Sequence, residues 1–173
     1  EKLTQRASTA GPIAVLTKNT EAWEAFLRGR DLMNQTSPSW PKAVEAFRRA
    51  VDLDPKFAMA WAKLGQLSAA LYAYGFDGKA LAESERALRE ALRLGPDLRE
   101  VHLAQAFFLR ATGAAPAAIE RALAAAGKDR ADDPAVLQIR GEILLALGND
   151  EEGIRALQRA AIVDARNGPL LNM

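Results

Sequence analysis

Apolar residues recur along this chain three and four positions apart, and the runs that carry them are broken at short intervals by proline, glycine and clustered polar residues. Such spacing keeps one face of a helix apolar. From Asn19 or Thr20, either able to cap a helix start, Ala22, Phe26, Gly29 and Leu32-Met33 predict a first helix to about Asn34. The proline-bearing stretch Gln35–Pro41 interrupts it, and a second helix starting at Ser37-Pro38 or Ser39 runs to about Leu53. A third covers Phe57 to Tyr74. Gly75-Phe76-Asp77-Gly78 then predicts a turn, with Asp77 capping a fourth helix that ends at Gly95-Pro96. In that fourth helix Leu81, Leu88, Ala91 and Leu92 form the apolar side, while Glu83, Glu85, Arg86, Arg89, Glu90 and Arg93 face water. A fifth helix spans about Leu98 to Thr112, and a sixth Pro116 to Ala126, stopped by Gly127. Asp133 caps a seventh with Pro134 in its first turn, reaching Leu147. Asn149 or Asp150 opens an eighth with Ile154, Leu157, Ala160-Ala161 and Val163 as its stripe. No alternating run of β-branched residues argues for a strand. Residues 1–19 mix Ser, Thr, Gly and Pro and read as a linker or amino-terminal extension.

The helices repeat in pairs. The stretch from Lys42 to Gly65 places Ala43, Phe47 and Ala50 on one helix, stops it at Asp54-Pro55, and opens the next with Trp61, Leu64 and Gly65. Other units carry related residues in the same order. A small-residue slot reads Gly29, Gly65, Ala106 and Gly141. The second-helix slots read Ala43-Phe47-Ala50, Ser84-Leu88-Ala91, Ala118-Ala122-Ala125 and Gly153-Leu157-Ala160, spaced 41, 34 and 35 residues apart. Small side chains at fixed phase let two helices approach closely, and a lone helical hairpin has nowhere to bury its apolar side, so successive hairpins must stack.

Trp61-Leu64-Gly65, Ala43-Phe47 and Pro55 resemble the tetratricopeptide repeat, with Ser68 departing at its tyrosine slot and Ala165 standing where proline is usual. The resemblance implies an all-α, right-handed α-solenoid of about four hairpins, at about 20–55, 56–96, 97–133 and 134–167, with 168–173 starting a ninth helix. Phe26-Leu27-Arg28-Gly29-Arg30, the long first connection, Ala60-Trp61 and the lengthened Tyr72–Gly78 turn are similar to carboxy-terminal repeat regions of bacterial multidomain regulators. Such regions accompany nucleotide cyclases, winged-helix transcription regulators and protein kinases. That likeness covers about residues 19–96 and implies a signalling or regulatory setting, with any catalytic or DNA-binding domain elsewhere in the parent protein.

Composition narrows the chemistry. With 49% hydrophobic and 26% charged residues the 173-residue chain can build a core. A net charge of +1 supplies no general attraction for nucleic acid or anionic lipid. The absence of cysteine removes disulfides and thiolate metal sites, and no apolar run is long enough to span a membrane. The cytoplasm is the expected compartment, and the periplasm is compatible. One histidine, His102, makes no metal cluster and is read as a packing residue. Neither a complete phosphate-binding loop nor a pair of carboxylates in a shared pocket is legible, so no catalytic residue, metal or cofactor is assigned and the chain is read as non-enzymatic.

The tetratricopeptide pattern implies that the first helix of each hairpin lines a concave face. Carried over residue by residue, it places Trp23, Phe26, Arg30, Met33, Met59, Ala62, Gln66, Ala69, Glu100, Leu103, Phe107 and Arg110 there. Phe26, Ala62 and Leu103 stand where repeats that clamp a chaperone's terminal carboxylate carry Lys and Asn, which argues against that use. A competing reading has Trp23, Phe26 and Met33 covered by residues 1–19. The leading expectation is a scaffold that binds a peptide or protein domain on the concave face. The alternatives are self-association through the solenoid ends or convex face, including a homodimer through an uncapped carboxy-terminal end, and, behind both, RNA binding. Glu1 at the start and Gly168-Pro169-Leu170-Leu171 at the end read as a segment of a longer protein whose helices continue.

Overall fold

The computed structural model describes residues 17–35, 37–75, 78–128 and 132–167. Among them lie eight α-helices and no strand: α1 (Thr20–Met33), α2 (Trp40–Leu53), α3 (Ala58–Ala73), α4 (Ala80–Leu94), α5 (Arg99–Ala111), α6 (Pro116–Ala126), α7 (Pro134–Ala146) and α8 (Asp150–Asn167). They pair as hairpins, α1 with α2 and so on to α7 with α8, and each hairpin packs on the next. The architecture is an all-helical solenoid of stacked hairpins.

The helix ends follow from local chemistry. Asn19 caps α1 by accepting a hydrogen bond from the Ala22 amide at 3.1 Å. The same side chain donates to the Leu53 carbonyl at 3.0 Å, and the Thr17 hydroxyl donates to Asp54, so the start of α1 is tied to the end of α2. A 3-10 turn at Ser37–Ser39 precedes α2, whose first turn holds Pro41. Gly75 has φ of 73°, the left-handed conformation that releases the chain after α3. The Asp77 cap, the packing of residues 1–16 and the start of a ninth helix at 168–173 all fall outside the described residues.

The repeat slots have physical counterparts. A Cβ on Gly29 would come within 2.7 Å of the Phe47 ring, and one on Gly141 within 2.6 Å of Leu157 and 2.9 Å of the Gly153 carbonyl oxygen. These are the points where the two helices of a hairpin touch. Ser84 is fully buried and donates to the Gly65 carbonyl at 2.8 Å, while Trp61 Nε1 donates to the Pro55 carbonyl at 2.9 Å. One apolar cluster, centred on Phe26, Phe47, Phe57 and Leu64, joins α1 to α5, and a second, centred on Leu103, Ile119, Leu123 and Ile143, joins α3 to α7. The stacking is uneven. α3 lies along α5 closely, whereas α7 meets α5 and α6 only sparsely.

Three expectations change. In α6 the buried face is Ile119, Ala122, Leu123 and Ala126, so the repeat register of this unit is Ile119-Leu123-Ala126, one residue later than Ala118-Ala122-Ala125. Alanines on both faces of the helix leave its phase unmarked. Leu92 is exposed, and α4 instead buries Ala80, Ser84, Ala87, Leu88 and Ala91. Glu83 does not simply face water: its two oxygens accept from Arg48 Nε at 2.9 Å and Nη2 at 2.8 Å, joining α4 to α2.

Candidate functional site

The first helices of all four hairpins face a common groove of about 600 Å³. α1 supplies Trp23, Phe26, Arg30 and Met33; α3 supplies Met59, Lys63, Gln66, Leu67 and Ala70; α5 supplies Arg99, Glu100 and Phe107; α7 supplies Gln138, Ile139 and Glu142. Trp40 and Tyr74 complete the wall at the helix ends. Helical periodicity produces this lining, because residues three and four apart on one helix share a face.

The aromatic side is closely packed. Phe26 stacks on Trp23 with ring centroids 5.5 Å apart and packs against Phe57 at 5.1 Å and Phe47 at 5.7 Å. Only 2% of Phe26 is exposed, so it is a core residue whose edge lines the groove rather than a free anchor. Trp23, Met33 and Met59 are half-buried and present apolar surface. Tyr74 is 63% exposed and packs on Trp40 at 5.5 Å.

The polar lining includes Arg30 on α1, Lys63 and Gln66 on α3, Arg99 and Glu100 on α5, and Gln138 and Glu142 on α7. Lys63 is partly buried between Met59 and Leu67, and its Nζ donates to Gln66 Oε1 at 3.0 Å. Burial pulls its pKa below the usual 10.5, opposed by the negative charge of Glu100 and reinforced by the positive charge of Arg99. Arg99 donates to Glu100 at 2.9 Å and also to Asp133, which ties the start of α5 to the cap of α7.

Of the residues read from the sequence, Trp23, Phe26, Arg30, Met33, Met59, Gln66, Glu100 and Phe107 line the groove together. Four do not. Leu103 is 2% exposed and belongs to the second apolar cluster, and Ala62 and Ala69 are likewise buried against neighbouring helices. Arg110 lies beside the groove, its guanidinium 6.0 Å from the Tyr74 ring and 5.9 Å from that of Phe107. The sequence reading missed Lys63, Leu67 and Ala70 on α3, Arg99 on α5, the whole α7 wall of Gln138, Ile139 and Glu142, and Trp40 and Tyr74. It stepped along α3 as 59, 62, 66 and 69, while the groove stripe runs 59, 63, 66, 67 and 70. A lysine between two apolar residues four positions away on either side was the available signal. His102 is half-buried away from the groove, its Nδ1 enclosed with no hydrogen-bond partner among the described residues.

No family model matches the chain, and neither does any curated protein. Among solved structures it is similar to one titled MamA MSR-1 C2, at 16% identity over 85% of this chain and 79% of that one, with a TM-score of 0.47. Among the described residues no group of three or more His, Cys, Asp or Glu side chains is placed to hold a metal ion. No helix among them is long and apolar enough to cross a membrane.

Proposed function

We propose that this chain is a protein-interaction scaffold that holds a peptide segment of another protein in the groove lined by α1, α3, α5 and α7. The observation that carries this reading is the groove itself, to which all four hairpins contribute and which presents Trp23, Met33, Met59 and Tyr74 as open or half-open apolar surface. Aromatic and thioether side chains contribute much contact area and adapt to different partners, which suits peptide recognition. The setting in a larger bacterial regulatory protein is carried by the sequence likeness in residues 19–96 alone. A photo-crosslinking residue placed at Met59 should capture a partner that the same residue at exposed Glu85, on α4, does not. Equal capture at both positions, or at Glu85 alone, overturns the groove reading.

A second reading is self-association through α8. Ile154 is 49% and Ile162 53% exposed, on a helix whose other described face packs on α7. Sedimentation over a dilution series, with Ile154→Glu as the comparison, decides it.

A further inference from the structure

Lys63 stands out among the charged residues of the groove. Arg99 is held by Glu100 and Asp133, Arg30 lies near Asp31 at 3.9 Å on the open surface, and Glu142 accepts from Gln138 at 3.1 Å. Among the described residues Lys63 meets only the neutral Gln66 amide, at 3.0 Å, and no carboxylate of theirs lies at ion-pair distance. The nearby negative charge of Glu100 is already engaged by Arg99. An ammonium group has three hydrogens to donate, and one is used here. Half-buried Met59 and buried Leu67, each one helical turn away on the same stripe, put apolar side chains on both sides of it. A partly buried cation flanked by apolar walls is an expensive arrangement unless an acceptor arrives to meet it.

Building on the groove reading above, we infer that the bound segment carries an Asp or Glu side chain whose carboxylate meets Lys63 Nζ, flanked by apolar side chains that lie over half-buried Met59. Charge complementarity selects this occupant over a wholly apolar peptide, and the half-open thioether and aromatic walls select it over a purely acidic one. The acid supplies the missing acceptor, and a charge-assisted bond in a site shielded from water is worth about tenfold or more in affinity. Gln66 keeps the amine pointed into the groove from one turn away.

The test is selection from a random twelve-residue peptide library with amidated carboxy-termini, so that only side-chain carboxylates can be chosen, on the wild-type chain and on Lys63→Met. Enriched peptides are expected to combine an acidic residue with apolar neighbours. Changing that acid to its amide, or Lys63 to Met, should each weaken binding about tenfold, and together no further. Lys63→Arg should retain most of the affinity. Circular dichroism of Lys63→Met, unchanged in helix content, separates lost recognition from lost fold. Apolar peptides enriched without an acid, weakened by Phe107→Ala yet indifferent to Lys63→Met, overturn the carboxylate inference while leaving the groove reading standing. Enrichment of nothing, or of peptides indifferent to Phe107→Ala and Met59→Ala, overturns both.

Discussion

At the scale of single residues, the small side chains that define the repeat are contact points with no room to spare. Gly141→Ala would drive a methyl group into Leu157 and the Gly153 backbone, and it should destabilise the chain by about 1–3 kcal/mol in urea denaturation. Gly148 has nothing within 4 Å of an added Cβ but adopts φ of 79°, so Gly148→Ala should cost about 1–2 kcal/mol for a different reason, the strain of a left-handed backbone. Lys63 behaves oppositely. Because burial lowers its pKa below 10.5, the unfolded chain holds more protons between the lowered value and 10.5, and stability rises with pH across that window. Lys63→Met should therefore raise the urea midpoint at pH 7 and flatten its rise toward pH 10. A drop in the midpoint at pH 7 would contradict the burial of the amine.

Elements were legible in proportion to how sharply their residues mark a phase. Trp61, Gly65, Phe47 and Pro55 each permit few environments, and the structure gives each a specific contact: Pro55 accepts from the Trp61 indole, Ser84 donates to Gly65, and Phe47 faces Gly29. The alanines of α6 fit either side of a helix, and its register was read one residue early. The groove was legible as a helix face but not as a side-chain set, since a stripe of three- and four-residue steps can pass through Ala62 or Lys63 and only neighbouring helices decide which. The Arg48–Glu83 pair was out of reach for the same reason, lying between α2 and α4 rather than within one helix. Its side chains are 35% and 17% exposed, and a double-mutant cycle with Arg48→Met and Glu83→Gln should show coupling of about 1 kcal/mol, smaller in high salt.

Taken as a whole, the molecule has two overlapping apolar clusters and one thin seam, where α7 meets α5 and α6. In stacked repeats stability is a sum of units and the interfaces between them. Ile143→Ala should thus loosen α7 and α8 first, with faster amide exchange there while α2 to α4 stay protected. The seam also governs the width of the groove, because Gln138, Ile139 and Glu142 form a wall whose position depends on it, whereas Trp23 and Met59 stand on the thickly packed side. The groove thus has the geometry of a calliper, one jaw on two closely packed hairpins and the other on the sparsely packed α7. Since the sequence contains no cysteine, spin labels at Glu24→Cys and Ala146→Cys would read the gap directly. Their distance distribution should be broad beside that of Glu24→Cys with Glu85→Cys, and the proposed peptide binding should narrow it.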